Sequence, residues 1–337
     1  MALAAAVIGL GRIGSLLEED SLREKPCTHA GAIVNNPELR LCAGADLEEK
    51  HRYLFTGRWG VPVYEDAEIM LEIEKPQILH IATHPDSHLH YCSLAARYGV
   101  SVVVCEKPLA DTLGKAKKIA ALHKSGVITI ITNHERRYAA DYSLARKILS
   151  DGNRLGPLTG VKGTLYVGKT RRLLDVLWHD GTHLADAVMF LTGAELKHRK
   201  TIAGTLKAQE GTVYLLGRLD KPVIPAAASP PFLLELGAGR DHLVFELEFS
   251  CERGKLKIGN GIFELWESRE SPYAEGFRSL ERCSEGFSGP TGYFSNMTAD
   301  ALSCAQDRLA NKLKEPLSSA VDGLRVIQYL QSVRSWR

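Results

Sequence analysis

Gly9-Leu10-Gly11-Arg12-Ile13-Gly14 is the stretch on which the reading of this chain turns. It has the form G-x-G-x-x-G, follows the apolar run Ala4–Gly9 and precedes a predicted helix. In that context the glycines have separate physical tasks. They permit a tight turn, let backbone approach a pyrophosphate, and let the helix pack on the strand. The helix N-terminus then stabilises phosphate charge. The N-terminal apolar run is short, ends in glycine and has no basic segment before it. It reads as a first strand rather than a signal peptide.

Outward from this loop, the first 135 residues alternate between apolar runs and amphipathic stretches. Predicted strands are Ala4–Gly9, Leu41–Ala45, Val61–Tyr64, Gln77–Ala82, Ser101–Cys105 and Val127–Thr132. Most are apolar on successive positions, as strands buried on both faces are. Ser87–Tyr98 and Thr112–Lys124 read as helices. This alternation predicts a doubly wound parallel sheet over residues 1–135. The remainder, 136–337, changes character. Leu158–Val167 reads as a strand and Leu173–Leu191 as one long helix closing at Gly193. Strand-like runs at Thr212–Leu219, His242–Ser250 and Gly261–Trp266 predict a largely antiparallel sheet. Glu267–Thr291, polar and rich in Gly and Ser, reads as a mobile loop, and helices follow at Ser295–Lys314 and Ser318–Ser335. The expected architecture is therefore α/β: a Rossmann domain plus a C-terminal α+β domain.

Composition agrees with two globular domains. The chain has 337 residues, of which 45% are apolar and 24% charged, and a formal net charge of +2. That balance argues against a dedicated nucleic-acid binder. No run approaches the ~20 apolar residues of a membrane helix. The 7 cysteines are scattered and never spaced C-x-x-C, which suits a reducing cytoplasm.

Asp46, at the end of the second strand, is the candidate for binding an adenosine ribose, and with it NAD over NADP. It lies farther from the glycines than the usual ~20 residues. Glu18–Asn36 therefore reads as an insertion between the first helix and the second strand. Asp46-Leu47-Glu48-Glu49 also has the shape of a capping box. A second phosphate motif, Gly163–Thr170 including Lys169, matches G-x-x-x-x-G-K-[ST], but its centre is strand-like where a P-loop needs a flexible turn. In the second half, Trp178–Asp186 holds His179, Asp180, His183 and Asp186. A zinc reading is weak there: Asp180 stands where H-E-x-x-H has Glu, Gly181 weakens a helix, and no third ligand is evident, so no metal is expected. Acid/base chemistry and a merely wet helix face remain open on these residues alone.

Taken together, the chain resembles the Gfo/Idh/MocA oxidoreductases, NAD(P)-dependent enzymes acting mostly on sugars, inositols and nucleotide sugars. The resemblance rests on Gly9–Gly14, on the Thr83–His88 loop, and on Glu106-Lys107-Pro108. It rests also on Gly181-x-His183-x-x-Asp186 and on Asp322-Gly323-Leu324-Arg325. It implies cofactor contacts from Gly9, Gly11, Arg12, Ile13, Gly14, Asp46, Thr83, His84, His88, Glu106 and Lys107. It implies catalysis by Lys107 and His183. The family often has an aspartate four residues before that histidine; here His179 stands there and Asp180 one place later, so either takes the third role. Arg137-Tyr138 resembles the family's Arg-aromatic pair. Substrate contacts are expected from Lys107, Arg137, His179, Asp180 and His183. His29, in the insertion, either reaches the substrate or lies in a solvated loop.

The resulting expectation is a cytoplasmic enzyme that passes a hydride between NAD and a carbinol or carbonyl carbon of a sugar-like small molecule. A homodimer or homotetramer is expected, with no nucleic acid or membrane partner. Alternatives are an NAD-retaining hydrolase or lyase and a non-catalytic NAD-binding sensor.

Overall fold

The computed structural model describes residues 2–168, 170–202 and 204–335. Strands β1 (Leu3–Ile8), β2 (Leu39–Ala45), β3 (Val63–Tyr64), β4 (Ile78–Ile81), β5 (Val102–Cys105) and β6 (Thr129–Thr132) form one sheet. Its order is β3-β2-β1-β4-β5-β6 and every pairing is parallel. This is the dinucleotide-binding strand order, with the reversal of direction between β1 and β4. Helices α1 (His29–Val34), α2 (Glu49–Trp59), α3 (Ala67–Glu74), α4 (His88–Arg97) and α5 (Leu113–Lys124) connect the strands. Val102 and Val104 of β5 face a core that includes Ala30 and Ile33 of α1. The alternate residues, Val103 and Cys105, are also fully buried. Both faces of the sheet are covered, as the unbroken apolar runs require.

Contacts divide the described chain into two units. One runs to Ala139 and takes in Pro290–Ile327; the other comprises Ala140–Gly289 and the residues from Gln328 onward. Where the sequence suggests one cut at 135, residues 290–327 return to the first unit. The reason is α9 (Tyr293–Leu309), whose stripe Phe294, Met297, Ala301, Cys304 and Ala305 belongs to the core of the first sheet.

The helix expected directly after the glycine loop is interrupted. Ser15 N–H donates to Gly11 O at 3.0 Å and Leu17 N–H to Arg12 O at 2.9 Å, which begins a helical turn. A 3₁₀ turn, Leu16–Glu19, leads the chain away. It returns at α1, where His29 N–H donates to Ile13 O (3.1 Å) and Ala30 N–H to Gly14 O (3.0 Å). Those are the bonds one continuous helix would make at that point. The insertion thus lies inside the first helix, not after it, and removing it restores the usual spacing of about 20 residues from glycines to Asp46. The excursion is fastened. The Glu18 carboxylate accepts from Thr28 Oγ1 (2.6 Å) and Cys27 N (3.2 Å). Thr28 Oγ1 caps α1 by accepting from Gly31 N (3.0 Å). The Glu24 carboxylate accepts from Thr291 N (2.8 Å) and Gly292 N (2.6 Å). His29 is wholly buried, so the solvated-loop alternative does not hold.

The second unit contains α6 (Ala140–Asp151), β7 (Leu158–Val167), α7 (Leu173–His179) and α8 (Gly181–Thr192). Strands β8 (Glu195–Ile202), β9 (Gly211–Asp220), β10 (Pro231–Ala238), β11 (Val244–Cys251), β12 (Gly254–Gly259), β13 (Ile262–Glu270) and β14 (Arg278–Arg282) follow. They form one sheet with β7, in the order β14-β13-β12-β11-β7-β10-β9-β8, antiparallel except at β7–β10. The final helix, α10 (Ala320–Arg334), crosses the division between the units.

Three local expectations change here. The single helix over Leu173–Leu191 is two, broken at Asp180, where Gly181 is a poor helix former. Glu267–Thr291 is not a plain loop: it holds the end of β13 and all of β14. As an edge strand β14 carries Arg278, Glu281 and Arg282, the polar blunting that edge strands use. The strand β10 was hidden by Pro231, which a strand tolerates as its first residue. Residues 163–167 of the P-loop match lie in β7, Gly168 and Thr170 come after it, and Lys169 is outside the described residues.

Candidate active site

The glycine loop sits where β1 and β4 end, at the point of reversal. Gly9 has φ of +89°, and a Cβ there would lie 2.7 Å from the backbone carbonyl of Ala82. A Cβ on Gly14 would lie 1.9 Å from Gly9 O. These two glycines are required by the chain's own packing. Gly11 is different: a Cβ there would meet only the His51 ring, at an ordinary 3.6 Å. Nothing within the protein demands glycine at that position, which is what a cradle for an outside group looks like. Arg12 is exposed and Ile13 half-buried beside it.

Asp46 follows β2 and reaches back to this loop. Its Oδ2 accepts from Leu10 N–H at 2.7 Å and lies 3.1 Å from His51 Nδ1; its Oδ1 accepts from Glu48 N–H at 2.9 Å. The N-cap of α2 is Glu48, so Asp46 closes a local turn and braces the glycine loop rather than capping the helix. The nearest downstream arginine, Arg52, donates to the carbonyls of Asp46 (2.7 Å) and Leu47 (2.9 Å).

Beyond β4, Thr83 Oγ1 lies 2.7 Å from Ser87 Oγ, and His84 is exposed. His88 is buried, with Nε2 3.0 Å from Thr83 O and Nδ1 3.2 Å from Leu109 O. Burial lowers its ring below the ordinary histidine value, against the pull of those carbonyls and Glu106. The ring lies between the β4 loop and the turn after β5, and in its neutral form it donates to one of the two carbonyls. At the end of β5, Glu106 is buried and Lys107 half-buried, and the Lys107–Pro108 bond is cis. Glu106 Oε1 accepts from Asn133 Nδ2 at 2.5 Å and lies 2.9 Å from His29 Nε2; Oε2 accepts from Lys107 N–H at 3.2 Å. His29 Nδ1 in turn lies 2.8 Å from His80 Nδ1. Burial alone would raise the Glu106 carboxyl. The bond and charge of His29, the Lys107 charge and the Asn133 bond outweigh it and hold the carboxyl below the usual range. Sequence reading missed His80 and the roles of Asn133 and His29 at Glu106. The available signal was a histidine inside the otherwise apolar β4.

Arg137 is buried and paired with Asp322 at 3.2 Å, and donates to Leu317 O at 3.1 Å. Burial would raise the Asp322 carboxyl, but Arg137, Ser319 and Arg325 hold it below its ordinary value. Within the first unit this pair locks the Asp322 motif in place. Arg137→Met should cost on the order of 3 kcal/mol in urea unfolding at neutral pH, because it strands a buried carboxylate. A carboxyl depressed in the folded state adds stability above its unfolded value and loses it as pH falls. The gap between variant and parent should therefore close below about pH 4.

In the second unit, α7 ends at His179 and α8 starts at Gly181. Asp180 at the junction pairs with Arg171 at 2.9 Å. Thr182 Oγ1 donates to His179 O (2.8 Å), and His183 N–H to Asp180 O (3.1 Å). His179 and His183 thus belong to separate helices. Of the 12 residues of α8, only His183 is half-buried and the others are buried, Asp186 at 1% exposure.

Comparison with known proteins agrees with this geometry. The profile of an oxidoreductase family with an NAD-binding Rossmann fold matches residues 3–134. D-apiose dehydrogenase of Paraburkholderia graminis is 30% identical over 178 residues, 49% of this chain and 46% of that protein. The chain spans less than half the length of the curated relatives it matches. Among solved structures, UDP-N-acetylglucosamine 3-dehydrogenase of Acidithiobacillus ferrooxidans shares the fold, with a TM-score of 0.74 at 14% identity, covering 99% of this chain and 97% of that one. So does an oxidoreductase of Agrobacterium radiobacter solved with NAD+, L-tartaric acid and magnesium, with a TM-score of 0.72 at 16% identity, covering 100% and 98%. The glycine loop at the sheet's point of reversal and the profile match agree: residues 3–134 of this chain are an NAD-binding Rossmann module of the Gfo/Idh/MocA oxidoreductase type.

Proposed function

We propose that this protein is an NAD-dependent dehydrogenase acting on a carbinol or carbonyl carbon of a sugar, inositol or nucleotide-sugar-like molecule. The observation that carries the reading is the cradle at Gly11, open where Gly9 and Gly14 are closed by the chain itself. Gly9, Gly11, Arg12, Ile13 and Gly14 would hold the pyrophosphate, Asp46 the ribose, and Thr83, His84 and Glu106 the remainder, with His88 fixing their loop. NAD, when bound, supplies a hydride acceptor or, reduced, a donor. Lys107 binds and polarises the reacting oxygen. His183 holds or moves its proton, with Asp180 or His179 orienting it and Arg137 adding contacts through the turn it stabilises. Relatives named for D-apiose and UDP-N-acetylglucosamine support a sugar-like substrate. A cytoplasmic homodimer or homotetramer is part of the same proposal.

The test is a panel of pentoses, hexoses, inositols and nucleotide sugars, with NADH formation as the readout. Absence of redox turnover despite tight NAD binding would favour a sensor or an NAD-retaining hydrolase.

NAD should bind at least ~10-fold more tightly than NADP in calorimetric titration. The Asp46 carboxylate repels a 2′-phosphate, and Arg52 is spent on backbone carbonyls. Asp46→Asn keeps an oxygen for Leu10 N–H and should narrow the preference. Tighter NADP binding by the parent protein would refute the assignment.

A further inference from the structure

A line of buried polar groups runs behind the Glu106-Lys107-Pro108 turn. It starts at His80 in the middle of β4, passes through His29 on α1, and ends at Glu106 after β5. The contacts are His80 Nδ1 to His29 Nδ1 at 2.8 Å and His29 Nε2 to Glu106 Oε1 at 2.9 Å. His29 and His80 are both wholly buried. His29 also stands edge-on to the Phe294 ring, with centroids 5.3 Å apart and planes at 89°. Such a line is costly. A buried carboxylate must be supplied with donors, and a buried imidazole must find partners for both nitrogens.

The proton placement that satisfies these contacts is specific. Glu106 is a carboxylate and accepts only, so His29 presents Nε2–H to it. In the neutral His29 ring Nδ1 is then bare, and His80 must present Nδ1–H. That leaves His80 Nε2 as a lone pair, and this atom has no hydrogen-bond partner among the described residues. If a proton is added to the pair, His29 Nδ1–H donates to His80 Nδ1, the His80 proton sits on Nε2, and the contact between the rings is reversed. Burial, with the His29 charge beside it, drives the His80 ring well below the ordinary histidine value, so the pair holds at most one extra proton. The charged or titratable groups bearing on Glu106 are His29, Lys107 and, across the turn, His88; Asn133 adds a neutral donor.

The excursion inside the first helix explains how His29 gets there. The chain departs after the glycine loop and comes back at α1, which is capped by Thr28. The detour sets a histidine, rather than the residue next in line, against the end of β5. Glu24 and Glu18 hold it there.

We propose that His29 is a positioning residue for Lys107: by donating to Glu106 Oε1 it fixes the Glu106 carboxylate in place, and that carboxylate, accepting from Lys107 N–H through Oε2, orients the Lys107 turn and lies beside the lysine's positive charge. His80 sets the tautomer of His29 that makes this donation. The proposal rests on Lys107 as the lysine at the reacting oxygen. Its physical content, the coupling of three side chains, needs neither cofactor nor substrate.

The test is competitive acetylation of the intact protein with acetic anhydride across pH, read at Lys107 by peptide mass spectrometry. An amine reacts only when deprotonated, so the pH dependence of labelling reports the lysine's charge. His29→Leu leaves the carboxylate charged where a lysine titrates but unfastened, and should move the Lys107 labelling curve to lower pH by less than about one unit. Glu106→Gln removes the charge itself and should move the curve by about one unit, the scale of one lost opposite charge. The double variant should move it no further than Glu106→Gln, because His29 acts only through Glu106. His29→Gln, whose amide can still donate to Oε1, should restore the parental curve and guards against a folding failure of the leucine variant. Equal effects of His29→Leu with and without Glu106 would overturn the proposal, as would an unmoved curve in a folded His29→Leu protein. Failure of the dehydrogenase reading would look different: no NAD binding or redox turnover in the parent protein, with this coupling intact.

Discussion

Gly11→Ala is expected to weaken NAD binding by at least ~10-fold, and Gly11→Val to abolish it at millimolar cofactor, while both proteins stay folded. The argument is a contrast between glycines of one motif. A methyl group on Gly11 meets only the His51 ring at 3.6 Å, and Gly11 does not have the left-handed backbone that favours glycine. The fold therefore tolerates a side chain there, and thermal unfolding should shift by no more than a few degrees. Gly14→Ala should behave in the opposite way. Its methyl group would lie 1.9 Å from Gly9 O, against backbone that cannot swing aside. Overpacking of that kind costs about 3 kcal/mol or more. Calorimetric titration with NAD, paired with thermal melts, separates the two outcomes. Undiminished NAD affinity in Gly11→Val would place the pyrophosphate elsewhere.

The same contrast shows what a sequence can and cannot disclose. The parallel sheet was legible because β1 and β5 are apolar at successive positions, and β4 and β6 are so apart from His80 and the terminal threonines of β6, the pattern of strands covered on both faces. The motif was legible as a string, but the division of labour among its glycines was not, since it depends on what each Cβ would strike. The interruption of the first helix was not legible either. Pro26 marks residues 17–28 as non-helical, but nothing in the string says that the helix resumes after them, and the bonds that rejoin it are made between Ile13 and His29. The return of α9 to the first unit is information of the same kind. Its apolar stripe announces that it packs, not against which sheet. The edge strand β14 was lost for another reason: polar side chains that suit a sheet's rim read as a loop in composition.

Lys107 and His183 were named from resemblance, and their division of roles yields the second large effect. Oxidising an alcohol requires that its hydroxyl proton leave, so a group near the working pH must take it. A free lysine titrates near ~10.4 and a free histidine near ~6.5. At neutral pH the histidine is already a competent base, whereas the lysine serves better as a cation on the oxygen. Lys107→Met should therefore keep NAD binding and lose about 10²-fold or more in turnover, the scale of one lost electrostatic or acid/base contribution. Methionine matches the stem of lysine and removes only the ammonium, so a structural cost is not expected at a half-buried turn. His183→Ala should leave a low rate whose acidic limb is gone. A histidine base is inactive when protonated, so the parent's rate rises with pH through its midpoint, and that rise disappears with the ring. His183 is half-buried on an otherwise buried helix, which is the structural reason to expect a local effect rather than a collapse of α8. The pH–rate profile of each variant, on whichever sugar-like substrate the panel identifies, decides the assignment. A limb that persists in His183→Ala and vanishes with Lys107→Met would exchange the two roles. Full turnover in both variants would move the chemistry to other residues.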